Sequence, residues 1–448
     1  MFGFSYTQGD ELLKRTCYSS ELKKFVGKEM VVAGWAHDIR LIGGINFLLL
    51  RDKEGIVQVT AKKTVPKRIL DILQKLHQED VLIVKGMVVE SKIAKAGVEI
   101  IPSEIEVISK AEVPLPLDPR DVTKAKLDTR LDWRVLDLRK PENLAIFKIQ
   151  SKLVEGFGEH LRKEGYLQVF TPCLIGGASE GGADVFPVVY FKERAFLRQD
   201  PQLHRELLIA SGFEKVFDLG PSWRAEPSHT VRHLCEHRGC AVELAFIKDE
   251  TDTMRVGEGL IVYALKKIKK ECAEELELLG KEIKIPKTPF PELRFPKIYE
   301  ILEELGKKIP HGEDYDRESE LLLWKYVKGK YKSDFFFVNR FPFKAKPFYV
   351  MRVDEEPTWA RSVDLVFRGV EQSSGGQREH RHEKIIQQLK EKDINVKTME
   401  WFTEPFKYGV PSMGGFNLGI ERFTMQLLGL KNIRETVLFA RDPKRFLP

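Results

Sequence analysis

The chain has 448 residues, 42% hydrophobic and 31% charged, which fits a soluble protein too long for one ordinary core and points to two domains. Its 73 Lys and Arg against 67 Asp and Glu leave a net charge of +6, a mixed and solvated surface that only mildly favours a polyanionic partner. The start MFGFSYTQGDELLKR has no cationic head followed by an apolar run, no stretch approaches the ~20 apolar residues of a membrane span, and the five cysteines include no CxxC pair. Secretion, membrane insertion, a disulfide framework and a thiolate zinc site are therefore disfavoured, and a cytoplasmic protein without a membrane partner is expected. The Lys/Glu-rich surface is compatible with a thermophilic source.

From Met30 to Ile108, short alternating runs (MVVAGWAHDI, INFLLLRD, GIVQVT, VLIVKGMVV, VEIIPSEIEVI) read as five strands, interrupted by a helical stretch near Arg68 to His77. Five such strands close naturally into a small barrel of the OB type. The Pro-rich, charged segment from Ala111 to Arg134 marks a linker. Beyond it an amphipathic helix runs from about Asn143 to Glu164, strand-like and helix-like segments mix, and a second amphipathic helix covers Met254 to Leu279. The expected class is α+β, with domains at 1–110 and 141–448 and a hinge at 111–140. No internal repeat or low-complexity tract interrupts it.

Several segments carry chemistry. In WRAE, a strand-like segment, Arg224 and Glu226 are two apart and share a face, where a guanidinium fork suits a phosphate; an exposed strand with incidental cations is the plainer alternative. GGFNLGIERF reads as a glycine-rich turn into a helix with Arg422 in its first turns, so amides, helix dipole and Arg422 jointly favour an anion. In QDPQLHRE, Pro201 suits the first helical position, and Gln202 and Arg205, three apart, share a helix face.

Read in order, GYLQVFTPCL with ASEGGADVF, FLRQDPQLHRE, WRAEPSHTVRHLCEHRGCAVELAF, FRGVEQSSGGQREH and GGFNLGIERF resemble the class II aminoacyl-tRNA synthetases, specifically aspartyl-tRNA synthetases of the archaeal and eukaryotic kind, from the barrel to the last residue. The resemblance implies an anticodon-binding OB domain, a catalytic domain on a six-stranded antiparallel sheet, a homodimer, and the ligands ATP, Mg2+, aspartate and tRNA(Asp), with tRNA(Asn) as a further candidate. It assigns Arg224 to the α-phosphate, Glu226 to the adenine end or acceptor strand, Arg232 and His233 to the outer phosphates and the tRNA end, and Gly419 and Arg422 to the γ-phosphate. Asp364 and Glu371 match the magnesium ligands; seven apart, they would face opposite sides of one regular strand, so a bulge near Gly369 is expected.

For the amino acid, the resemblance offers Glu180 on a mobile loop for the ammonium, with Gln202 and Ser374 in the pocket and Arg205 and Arg378 for the side chain. Two guanidiniums suit a carboxylate and fit a neutral amide poorly, which favours aspartate over asparagine. In the barrel, Phe47 and Gln58 match residues that stack and read anticodon bases, and His37 sits at a position bearing on tRNA(Asp) against tRNA(Asn). Phe47 as simple barrel core is the plainer reading. The chain departs from the family pattern at Asp200 (for Ser), Arg205 (for Lys), Ala241 (for Asp), Asn417 (for Gly) and Trp223 (for Phe), and His237 stands near the place of an adenine-stacking aromatic. Asp200 reads either as an N-cap before Pro201 or as an ammonium anchor relocated from Ala241. Rival functions are an asparaginyl enzyme, a synthetase paralogue activating another amino acid, and a non-catalytic tRNA-binding paralogue.

Overall fold

The computed structural model describes residues 14–120, 122, 124–176, 185–225, 227 and 230–447. Contacts divide the chain into two compact units that meet at Pro141 and Glu142. In the first, β1 (Glu29–Ile42), β2 (Ile45–Arg51), β3 (Ile56–Lys62), β4 (Val81–Glu90) and β5 (Val98–Ser109) close into a barrel in the order β1-β2-β3-β5-β4. All pairs are antiparallel except β3 with β5. The alternation read from sequence is the burial pattern: Leu48, Leu50, Val57, Val59, Val84 and Ile100 point inward into one core. The helix in the barrel is shorter than expected, Lys67–Leu73.

The expected hinge is part of this first unit. Buried Asp80 accepts from Lys110 Nζ (2.8 Å) and from the Ala111 backbone (2.7 Å), Gln78 donates to Asp118 (2.7 Å), and Arg120 reaches Asp38 (3.0 Å). Those bonds fasten a proline-rich strand that local composition marks only as irregular.

The second unit carries β6 (Leu167–Gln168), β7 (Leu174–Ile175), β8 (Pro187–Tyr190), β9 (Glu193–Leu197), β10 (Lys215–Trp223), β11 (Glu236–Ala245), β12 (Glu292–Arg294), β13 (Phe335–Asn339), β14 (Ser362–Phe367), β15 (Val370–Arg378) and β16 (Met413–Gly419). Its main sheet runs β12-β13-β14-β15-β16-β11-β10-β6. The six central strands are antiparallel, and β12 and β6 add a short parallel edge at either side. One face packs on two helices. Pro141–Lys163 buries Ile146, Ile149, Leu153, Phe157 and Leu161, with Glu142 in its first turn and His160, Arg162 and Lys163 in its last, as the helix dipole favours. Glu250–Glu271 is N-capped by Asp249, which accepts from the Thr251 backbone at 2.9 Å. The second predicted helix breaks at Cys272 (φ −122°, ψ 35°) and resumes as Ala273–Leu278.

The other face of the sheet is the floor of the site. Cross-strand partners share a face, so the row Asp218, Ala241, Asn417, Ser374, Asp364 lies across β10, β11, β16, β15 and β14 on one side. Two residues along, Glu243, Gly415 and Gly376 form the next row on that side. Gly415 is dictated by contact: a Cβ there would lie 2.0 Å from the Val242 carbonyl oxygen and 2.5 Å from Glu243 Oε2. Gly415→Ala is expected to cost roughly 1–3 kcal/mol or more in chemical denaturation, as overpacking does. Gly329→Ala, in open space on the helix Arg317–Tyr331, should instead stabilise slightly.

Candidate active site

A cavity of about 500 Å³ opens on that floor. Its walls include Asp200, Gln202, Arg224, Arg232, His233, Glu371, Ser374, Arg378, Gly419 and Arg422, so the structure gathers ten of the residues singled out from sequence. Arg205 and Asp364 lie behind the wall, and Glu180 and Glu226 lie outside the described residues.

At one end stands a buried charge array. Arg205, fully buried, donates from Nη1 and Nη2 to the two carboxylate oxygens of Asp200 at 2.8 and 2.9 Å. Arg378 donates to Glu243 at 2.9 Å. Gln202 joins the pairs: its Oε1 accepts from Arg205 (2.7 Å) and Arg378 (3.1 Å), while its Nε2 donates to Glu243 (2.8 Å) and Glu206 (3.1 Å). Burial, reinforced by Glu243, pushes the Glu206 carboxyl well above the usual carboxylate range. Arg205 and Arg378 are thus each paired with one carboxylate, Asp200 and Glu243.

Two expectations change here. Arg205 is expected to present its charge to a ligand; instead its two terminal nitrogens are taken by Asp200 and Gln202, because a guanidinium removed from water requires a counter-ion, while its Nε has no hydrogen-bond partner among the described residues. Asp200 does not cap the helix Gln202–Ala210, whose N-cap is Pro201 with no side-chain cap bond, so Pro201 stands one position before the first helical residue. Of the two guanidiniums, Arg378 is the one at the cavity wall, and its Nη1 makes no hydrogen bond among the described residues.

At the other end are the phosphate-suited groups. Arg224 follows β10 directly, its backbone tied to Cys235 O at 2.9 Å, and Arg422 sits in the first turn of the helix Ile420–Leu428, which begins directly after β16. Arg422 reaches Glu371 Oε1 at 3.6 Å and its carbonyl at 3.3 Å. Asp364 and Glu371 are on two strands of one hairpin rather than on one strand. The turn carries positive φ at Arg368 (49°) and Gly369 (71°), and the bulge falls at Gln372, where Val366 pairs with Glu371 and Leu365 with Ser373. That extra residue turns Glu371 to the face of Asp364.

Asp364 has the character of a cation site: its Oδ1 is buried with no hydrogen-bond partner among the described residues, and burial raises its carboxyl to about 6. No cluster of three or more His, Cys, Asp or Glu able to hold a metal occurs among the described residues.

His237, at the cavity wall, is held near 4 by burial, with Arg224 and Arg422 adding to the effect. It is therefore a neutral ring at physiological pH, suited to lie against a base. Asn417 also lines the cavity; its Oδ1 is buried, has no partner among the described residues, and lies where a Cβ on Gly239 would meet it at 2.1 Å. Glu243 shares the strand parity of His237, Gly239 and Ala241, which places it on the ligand side from sequence. Lys346 is a functional candidate that residue spacing did not single out, since it lies in an irregular segment with no such signal.

In the barrel, Phe47 is half-buried on the outer face, opposite Thr60, not in the core. Gln58 beside it donates to Glu99 (2.7 Å) and Thr60 (3.1 Å), so Glu99, missed from sequence, belongs to the same surface. His37 is the extra residue of a bulge in β1, 3.0 Å from Arg51.

The family profile of class II tRNA synthetases (D, K and N) matches residues 126–443, and that of the OB-fold nucleic acid binding domain matches residues 30–108. The chain belongs to the class II tRNA synthetases of this D, K and N group. Within the group it is similar to the aspartate–tRNA(Asp) ligase of Pyrococcus horikoshii, 47% identical over 97% of this chain and 100% of the relative. The aspartate–tRNA(Asp/Asn) ligase of Methanothermobacter thermautotrophicus is 41% identical over 97% and 99%. Among solved structures, asparaginyl-tRNA synthetase of P. horikoshii with asparaginyl-adenylate superposes at TM-score 0.90, 32% identical over 98% of this chain and 100% of that one. Aspartyl-tRNA synthetase of Entamoeba histolytica gives 0.89 at 30% identity, covering 100% and 96%.

The charge array makes two predictions. Asp200→Asn should cost about 3–5 kcal/mol in denaturant unfolding by stranding Arg205, and adding Arg205→Met should recover part of the loss; additive losses would show the pair to be uncoupled. For His237, the unfolded state binds the proton more readily, so the stability this ring contributes is full above about 6.5 and is lost as pH falls toward 4. Histidine NMR should find its ring neutral down to pH near 4, and a midpoint at 6.5 would contradict the burial argument.

Proposed function

We propose that this chain is an aspartate–tRNA ligase: it activates aspartate with ATP and transfers the aspartyl group to the 3′ end of tRNA(Asp). The single observation that carries the choice of amino acid is Arg378, a guanidinium at the cavity wall held by Glu243 and Gln202 with Nη1 to spare. A carboxylate satisfies that edge in charge and in geometry, whereas an amide meets it with one neutral oxygen. Arg205 supports the preference at one remove, by saturating the same Gln202 oxygen. Glu180, Asp200 and Ser374 would hold the rest of the amino acid.

Aspartate's carboxylate attacks the α-phosphate, pyrophosphate leaves, and the terminal hydroxyl of tRNA then takes the aspartyl group from the adenylate. Neither step needs a protein nucleophile. Arg224 would meet the charge that builds on the α-phosphate, Arg422 with Gly419 the γ-phosphate, Arg232 and His233 the outer phosphates, and Glu226 the adenine end. Asp364 and Glu371 would hold magnesium, which when bound would supply charge neutralisation of the triphosphate. Phe47, Gln58 and His37 form the anticodon-facing part of the barrel, and the working form is a homodimer in the cytoplasm. Among the described residues no helix is long and apolar enough to cross a membrane. Charging of tRNA(Asn) as well is a second reading, favoured by the similarity to the Methanothermobacter Asp/Asn ligase.

ATP–pyrophosphate exchange with aspartate, asparagine or no amino acid tests the proposal. Exchange should depend on aspartate, and Arg224→Ala should lower it by about 10²–10³-fold without loss of fold. Exchange driven by asparagine would favour the asparaginyl reading, and exchange with neither would favour a paralogue. Charging of the two tRNAs then separates the single from the dual specificity.

A further inference from the structure

Lys346 lines the cavity at the end of the short turn Phe343–Ala345, its backbone amide donating to the Phe343 carbonyl at 3.0 Å. Its ammonium lies 3.0 Å from Asp364 Oδ2 and 3.6 Å from the centre of the Phe341 ring, and the two side chains are only 11% and 7% exposed. Oδ1 of Asp364 has no hydrogen-bond partner among the described residues, while Ser374 adds a hydrogen-bond interaction to the carboxyl. Glu371, turned to the same face by the bulge, has Arg422 3.6 Å from its Oε1. Asp364 and Glu371 thus each have one monovalent cation from the cavity wall as ion-pair partner, Lys346 and Arg422 respectively.

The pairing makes the arrangement exchangeable. One divalent cation can replace the monovalent partners of Asp364 and Glu371, in a neighbourhood kept acidic by Asp314 and Glu320. The exchange frees two positive side chains as a polyanion arrives. We propose that Lys346 is the resident counter-cation of Asp364, which yields the carboxylate to the divalent ion and passes its ammonium to a phosphate oxygen of the incoming nucleotide. A lysine suits this role because its charge is a point on a flexible stem, free to swing between two oxygen acceptors, whereas a guanidinium is committed to one plane. The inference rests on the reading of Asp364 as a metal ligand.

The test uses Mn2+ as the probe on the whole chain without nucleotide, with bound ion measured by EPR. Lys346→Met should bind Mn2+ about tenfold tighter than the parent, because the competitor is gone, while a non-hydrolysable ATP analogue with Mg2+ should bind more weakly. Opposite signs on the two ligands are not produced by loosened packing, and circular dichroism checks the fold. Unchanged or weaker Mn2+ binding in Lys346→Met would overturn the proposal. Asp364→Asn is the control: it should abolish the Mn2+ site, and if it does not, the metal reading fails and the Lys346 role fails with it. A measurement on the unmodified chain stands beside these, for the case of a variant that does not fold. Mn2+ with the ATP analogue should change the rate of Lys346 acylation followed by mass spectrometry, and an unchanged rate would likewise sink the exchange.

Discussion

The interaction on which the site depends is the meeting of two buried guanidiniums, Arg205 and Arg378, on the single side-chain oxygen of Gln202. Neither cation could be kept out of water alone, and each brings a carboxylate, Asp200 or Glu243, within 2.9 Å. The array joins the helix Gln202–Ala210 to β11 and β15 through side chains that have almost no freedom left. It fixes one end of the cavity rigidly before any ligand enters, which is what discrimination between nearly isosteric amino acids requires. At the phosphate end Arg422 and Glu371 are about a third exposed or more, so these two groups keep room to move.

The floor between the two ends is set by strand register. Six antiparallel strands place one row of side chains every two residues, and a ligand can lie against the sheet only where those side chains are short. Gly239, Ala241, Gly415, Gly376 and Ser374 supply that relief on three neighbouring strands. The hairpin of β14 and β15 then adds what a regular sheet cannot, since the bulge at Gln372 gives two acidic residues a common face although their spacing opposes it.

Alternation made the barrel legible, because period two with a buried face leaves few other solutions, and the motif segments gave most of the cavity wall. What stayed hidden was contact between residues whose relation is set by tertiary packing. Arg205 has the right type and helix position for a ligand contact, yet Asp200, five residues earlier, turns back on it; no local periodicity predicts that return. Asp364 and Glu371 read as one strand because a two-residue turn with a left-handed arginine, Arg368, leaves little trace in composition. The proline-rich stretch after the barrel reads as a hinge until its bonds to Asp80 and Asp38 are seen.

The departures from the family pattern look scattered in sequence and resolve into pairs in space. Asp200 and Arg205 are joined by two hydrogen bonds, so an acid in place of serine and an arginine in place of lysine constitute one change: a larger cation with its own counter-ion. Ala241 and Asn417 are cross-strand partners on β11 and β16, so the polar group missing from one strand is present on the next, in the same row and on the same face. The substitution is not isoelectronic. An amide that lies over Gly239 carries no charge. Trp223 belongs to neither pair, and nothing in the structure explains it.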